Sequence, residues 1–119
     1  MMNNRQKGAA GEKIAREYLE KSGYKILNTN FHYSKYSEVD IIAKEKNTIV
    51  FVEVKTRSTT NYGHPFESIN PKKLEHIYAA ALYYLQQTKE QHKNFRIDVI
   101  SVLTPENPKI EHLKNVWIN

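Results

Sequence analysis

The apolar positions of this chain fall into blocks with two different periods. From Gly8 to about Ser22 the pattern is helical: at about 100° per residue, Ile14, Ala15, Tyr18 and Leu19 share one arc, while Lys13, Arg16, Glu17 and Glu20 lie outside it. Glu12 sits at the border of that arc, close to Leu19 and off the fully solvated side. Gly23 stops the helix, and the polar residues 1–7 ahead of it read as a loose segment. A first strand starts at Tyr24–Leu27 and runs toward Phe31. Glu38–Ala43 and Thr48–Arg57 are rich in β-branched and aromatic residues and flank the polar turn Glu45-Lys46-Asn47, which predicts a β-hairpin. Residues 58–67 read as a loop. A second helix takes Asn70 as N-cap and Pro71 as its first residue. Leu74, Ile77, Tyr78, Ala81 and Leu85 form its apolar stripe, and it ends near Gln91. Phe95–Val102 is a further strand. After a turn bracketed by Pro105 and Pro108, Lys109–Ile118 is a last strand at the sheet edge.

The order α-β-β-β-α-β-β predicts an α/β domain over residues 8–119, with a central mixed sheet of about five strands flanked by helices. With 119 residues, 39% of them hydrophobic, the chain has the size and composition to bury one core. It contains no cysteine, which excludes disulfides and thiolate-ligated zinc or iron–sulfur sites, and its five histidines are scattered singly. The longest apolar run, Ile77–Leu85, is far short of the ~20 residues a membrane span requires, and no apolar secretory segment follows the first charges. A cytoplasmic protein with no membrane partner is the expectation. The 18 Lys+Arg outnumber the 13 Asp+Glu to give a net charge of +5, which makes a polyanion, nucleic acid first, a plausible partner.

Acids stand where strands disfavour them. The only two aspartates, Asp40 and Asp98, fall within predicted strands, as do Glu38 and Glu53. Glu53 interrupts the apolar run Ile49-Val-Phe-Val-Glu-Val-Lys, and the period of two places Lys55 on its face. By the same rule Asp40 shares a face with Glu38 and Ile42. A hairpin loop of two or four residues places Asp40 directly opposite Glu53, and Glu38 opposite Lys55. An odd loop or a bulge places Val52 opposite Asp40 instead. Opposed residues have Cβ atoms about 4.5–5.5 Å apart, so the even register brings two carboxylates to one spot. Such a pair demands either a shared proton or a cation. Mg²⁺, or Mn²⁺, suits one or two carboxylates with water and substrate phosphate completing its shell, and Lys55 reaches the same place to hold an attacking water. The bland alternative is a cross-strand ion pair between Glu38 and Lys55.

Gly11-Glu12, Glu38-Val-Asp40, Phe51-Val-Glu53-Val-Lys55-Thr-Arg57, Tyr62-Gly63, Lys73 and Phe95-Arg96-Ile-Asp98-Val occur in order. In these blocks, over Gly8 to Val102, the chain resembles the YraN family of small, uncharacterised bacterial proteins. The resemblance implies a restriction-endonuclease-like fold, similar to Holliday-junction resolvases and other PD-(D/E)XK nucleases. It implies that Asp40 is the first metal-binding acid, that Glu53 and Lys55 are the (D/E)xK pair, and that Glu12 is the supporting helical acid. Family members commonly carry glycine where this chain has Ser37. The candidate catalytic set is therefore Glu12, Asp40, Glu53 and Lys55, with Asp40 and Glu53 as the ligands of Mg²⁺ or Mn²⁺. Arg57, Lys72 and Lys73 are candidates for nucleic-acid contact. Lys72 and Lys73 stand in a first helical turn, where positive charge opposes the dipole unless a phosphate is bound there.

Tyr33, Tyr36 and Tyr62 either stack on unpaired bases or cover the core. Asp98 is expected to pair with Arg96, two residues away on its own strand face. The expected activity is metal-dependent endonucleolytic cleavage, of DNA rather than RNA, by a homodimer or with a partner protein. The alternative is a non-catalytic nucleic-acid-binding or assembly module that keeps the nuclease fold.

Overall fold

The computed structural model describes residues 3–58, 70–89, 94–103 and 107–116. The first helix, α1, spans Asn4–Lys21 and starts earlier than the hydrophobic pattern predicts. Asn3 caps it: its side chain accepts the Gln6 amide, and the Gln6 side chain accepts the Asn3 amide. This reciprocal box satisfies two end donors without any apolar residue, so residues 4–7 are helical rather than loose.

Strands β1 (Lys25–His32), β2 (Glu38–Glu45), β3 (Thr48–Arg57), β4 (Asn94–Leu103) and β5 (Lys109–Leu113) form one sheet in the order β1-β2-β3-β4-β5. Helix α2 (Pro71–Gln87) lies between β3 and β4 in the chain, and these two strands are the parallel pair in an otherwise antiparallel sheet. Parallel neighbours need a long crossover, which the segment containing α2 supplies. The architecture is the expected one: α/β, with a five-stranded mixed sheet and helices in the order α-β-β-β-α-β-β.

Each helix covers its own sheet face. Ala15 and Leu19 of α1 pack with Ile41, Val50, Val52 and Ile100. Leu74, Ile77, Ala81 and Tyr84 of α2 pack with Phe51 and Ile97. Phe51 is fully buried, and its truncation to alanine would cost about 3–5 kcal/mol. Helix α2 ends at Gln87, short of the expected Gln91, and β5 ends at Leu113 rather than Ile118. Tyr78, assigned to the apolar stripe, is instead an exposed residue of α2, and Ala80 and Tyr84 take core positions. The loop expected over residues 58–67 lies almost wholly outside the described residues, and Tyr62 with it.

The hairpin joins β2 to β3 through the two-residue loop Lys46-Asn47, with Lys46 in the left-handed region at φ 54° and Glu45 paired to Thr48. This is the even register. Its ladder stops at Ile41–Val52, one pair short of Asp40 and Glu53. Beyond that point β2 stays paired to β1 as far as Glu38, whereas β3 stays paired to β4 as far as Arg57. The sheet thus forks. Opposite the fork on β1, Asn30 takes φ 53°, a conformation asparagine tolerates better than most residues. The distortion breaks the period of two in β2. Val39 and Ile42, three apart, share the α2-side core, and Ile41 faces α1. Asp40 therefore does not share a plain strand face with Glu38 and Ile42, as simple alternation requires. Glu38 faces His32 at 3.7 Å, and Lys55 pairs across to Ser101 of β4, so no Glu38–Lys55 cross-strand pair forms. Ser37 is buried just before the fork without positive φ, so the chain enters β2 without the conformational freedom of glycine.

Candidate active site

The fork places Asp40 between the two separating strands. Its Oδ2 accepts the Val54 amide at 2.8 Å, a side chain standing in for the main-chain partner that the ended ladder no longer provides. Glu53, the residue before Val54, is 7% exposed and meets the Asp40 carboxyl. Burial first, then the hydrogen bond and negative charge of Asp40, push the Glu53 carboxyl up to about 8, against the opposing charges of Lys73 and Lys55. At neutral pH the pair therefore holds a proton between two carboxyls. A cation that enters must displace it.

Helix α1 reaches the fork because Gly11 lacks a side chain. A Cβ at Gly11 would overlap the Thr56 side chain of β3, so only glycine allows the helix to lie this close to the strand. The next residue, Glu12, is carried to the site. Burial raises its pKa, the charges of Asp40 and Glu38 raise it further, and Arg16 together with a hydrogen bond from Asn30 opposes the rise. An open cavity of about 440 Å³ lies here, bordered by Glu12, Asp40, Glu53, Val54 and Thr56, with Lys7 and Ser58 at its rim. Lys7 Nζ donates to Ser58 Oγ at 2.9 Å, tying the start of α1 to the end of β3.

The structure brings Glu12, Asp40 and Glu53 together as the sequence predicts. Lys55 is half-buried on the Glu53 side of β3, close enough for its charge to act on Glu53. Lys73 sits nearer still, with its Nζ 3.7 Å from Glu53 Oε2. It is an ion-pair partner of the acid and remains partly exposed. Lys72 is exposed in the first turn of α2, and its amide donates to the Asn70 cap. Arg57 is half-buried at the end of β3 and does not line the cavity.

Three contributors escape the sequence reading. Lys7 is hidden by the assumption of a loose N-terminus, although the Asn3-to-Gln6 spacing of a capping box is visible. Asn30 carries no motif, because its role depends on a left-handed backbone within a strand. Thr56 matters only through its contact with Gly11.

The donors suit a small hard cation: carboxylate oxygens only, two of them competing for one proton. Among the described residues no three His, Asp or Glu side chains are drawn into a ready-made metal cage.

Asp98 belongs to a separate network on the α1 side of β4. Fully buried, it accepts from Arg96 Nε at 3.0 Å, from His112 Nε2 at 2.7 Å and from the Asn115 amide at 3.0 Å. Burial alone would raise its pKa, but these donors outweigh it and hold the carboxyl below its usual range. Tyr18 Oη meets His112 Nδ1 at 2.9 Å, and Arg96 also pairs with Glu45 at 3.1 Å. The network joins α1, β2, β4 and β5.

Fold and site together define a small α/β protein whose mixed sheet, consistent with a restriction-endonuclease-like fold, holds a proton-sharing acid pair at a strand fork. The signature of the uncharacterised protein family UPF0102 matches residues 11–102, and the chain belongs to that family. A UPF0102 protein of Syntrophomonas wolfei is 42% identical over 115 residues, covering 96% of this chain and 99% of the relative. One from Caldicellulosiruptor saccharolyticus is 50% identical over 101 residues, 85% of each chain. One from Clostridioides difficile is 43% identical over 116 residues, 98% of this chain and all of the relative. No helix among the described residues is long and apolar enough to cross a membrane.

Proposed function

We propose that the protein is a metal-dependent endonuclease acting on nucleic-acid phosphodiesters, DNA in preference to RNA. The observation that carries this reading is the buried Asp40–Glu53 pair, with Glu53 pushed up to about 8 at the open fork of the sheet. Asp40 and Glu53 hold Mg²⁺ or Mn²⁺, which when bound supplies Lewis-acid stabilisation of phosphate charge and a more acidic water. Asp40 is fixed by the Val54 amide and needs no rearrangement to present its other oxygen. To serve as a ligand Glu53 would have to be ionised, its proton passing to solvent. Lys55 holds the attacking water and offsets charge on the phosphate oxygens. Glu12, from the α1 side of the cavity, accepts hydrogen bonds from water in the site. Lys73, 3.7 Å from Glu53 Oε2, opposes the rise of the Glu53 pKa and favours its ionised form. A homodimer or a partner protein completes the grip on substrate, because one domain of this size has little surface beyond its site.

The test is cleavage of supercoiled, flap and junction DNA by the purified chain with Mg²⁺ or Mn²⁺, compared with Glu53→Ala. The reading requires metal-dependent cleavage that the substitution abolishes. Cleavage that survives unchanged would overturn it. Salt-sensitive binding without turnover would make the chain a non-catalytic nucleic-acid-binding module.

A further inference from the structure

On the α2 side of the sheet, the turn between β1 and β2 presents two aromatic rings to solvent. The turn is well tied: the Tyr33 amide donates to the Ser37 carbonyl at 2.9 Å, and the Ser37 amide donates to the Ser34 carbonyl at 3.3 Å. Each ring rests on a ring of α2. Tyr33 lies on Tyr83 with centroids 4.7 Å apart, and Tyr36 lies on His76 at 6.3 Å with the planes within 29°. Phe31 and Tyr84 already close the core beneath them. Tyr33 nevertheless remains 50% exposed and Tyr36 67% exposed. Covering the core does not explain that exposure, because the rings lie outside an apolar layer that is complete without them.

Position and charge indicate what the rings are for. His76 follows Lys73 by one helical turn, about 4.5 Å along α2, and Lys73 touches Glu53. Asp40 follows Tyr36 by four residues, at most about 14 Å of extended chain. The platform is therefore tied to the acid pair by two short stretches of chain, one through Asp40 and one through Lys73. Lys35 Nζ stands 5.6 Å from the Tyr36 ring centroid, Lys72 is exposed in the first turn of α2, and Lys73 beside it reaches Glu53. A second copy of this chain would carry the same net charge of +5 and be repelled, whereas a polyanion is attracted. Exposed rings flanked by lysines match strands with unpaired bases: every base has a face to stack, and the lysines meet the phosphates. Paired bases in a duplex keep those faces covered.

We propose that Tyr33 and Tyr36 form a stacking platform for unpaired bases, and that the preferred substrate carries a single-stranded segment beside the phosphate presented to Asp40 and Glu53. The substrate assignment rests on the endonuclease reading above, but the platform is testable without turnover. The experiment is fluorescence anisotropy of a labelled oligothymidylate and of a duplex of equal length, titrated with the full chain in EDTA. The variants are Tyr36→Ala, Tyr33→Ala/Tyr36→Ala and the matching Phe substitutions, with thermal melts to confirm folding. Among the described residues Tyr36→Ala removes the ring contact with His76 and the Lys35 cation, so it keeps the test sound if the double variant unfolds.

The expected result is tighter binding of the single strand than of the duplex by the wild type. Tyr36→Ala should weaken single-strand binding about tenfold and the double variant more, Phe should retain it, and duplex affinity should change less than about twofold. Three results would overturn the proposal: no single-strand binding by the wild type, equal losses for both ligands, or alanine variants that dissociate a dimer without altering oligothymidylate affinity. Because no metal is present, failure here leaves the cleavage test of Glu53→Ala untouched. Loss of cleavage activity likewise does not decide the binding result.

Discussion

Asp40 Oδ2 accepts the Val54 amide at 2.8 Å at the point where the β2–β3 ladder has ended, so one carboxylate both closes a strand end and faces Glu53. These two roles separate by substitution. Asn keeps an oxygen for the Val54 amide, so Asp40→Asn should unfold within about 1 kcal/mol of the wild type in urea while losing metal affinity. Asp40→Ala leaves that amide without its acceptor, and stability should fall by about 1–3 kcal/mol. Equal stability of the two variants would show that the hydrogen bond does not hold the fork.

Glu53 gives the metal-free protein a distinct pH dependence. Its folded pKa of about 8 lies above the ordinary unfolded value near 4.3, so the native state binds the proton more tightly. The resulting stability is complete below the unfolded value and is lost as pH rises through 8. Urea denaturation in EDTA should therefore show a loss on the order of 2–4 kcal/mol between about pH 5 and pH 9. Glu53→Gln should flatten that slope. Lys73→Ala, which removes the nearest opposing charge, should extend the loss to higher pH.

The approach of α1 to β3 depends on Gly11. Gly11→Ala should cost about 1–3 kcal/mol, because the added methyl meets Thr56. Thr56→Ala removes the hydroxyl and methyl that it strikes, so the double variant should recover part of the loss. A double-mutant cycle by chemical denaturation measures the coupling, and additive losses would contradict the contact.

Asp98 should prove structural. Asp98→Asn leaves the Arg96 guanidinium without its buried carboxylate and should cost about 3–5 kcal/mol by thermal or urea unfolding. Where the variant remains folded, its Mn²⁺ affinity should match the wild type. A selective loss of metal binding would place Asp98 in the site.

The acid pair is legible in the sequence because Glu53 interrupts an apolar strand and because loops of two and four residues share one register parity; the odd alternative is excluded by the structure, where Glu45 pairs with Thr48. The fork is not legible. Alternation counts residues as though β2 and β3 stayed paired, whereas the left-handed Asn30 and the capping role of Asp40 are three-dimensional events within strands of ordinary composition. Thus Asp40 and Glu53 meet as expected, but Glu38 turns to His32, and the ion pair of Lys73 with Glu53 is not foreseen. Tyr78 fits the helical stripe by period and still faces out, while Ala80 and Ala81 are fully buried. The early start of α1 rests on a polar cap, and a search for apolar periodicity passes over it.

Whether the carboxylates at the fork form a metal site is decided by a calorimetric Mn²⁺ titration of the metal-free chain at pH 7, run in two buffers of different ionisation enthalpy. The wild type should bind Mn²⁺ and release close to one proton as Glu53 ionises, and the Asp40→Asn/Glu53→Gln variant should bind none. No uptake by the wild type, or equal uptake by the double variant, would show that Asp40 and Glu53 serve the fold and not a metal.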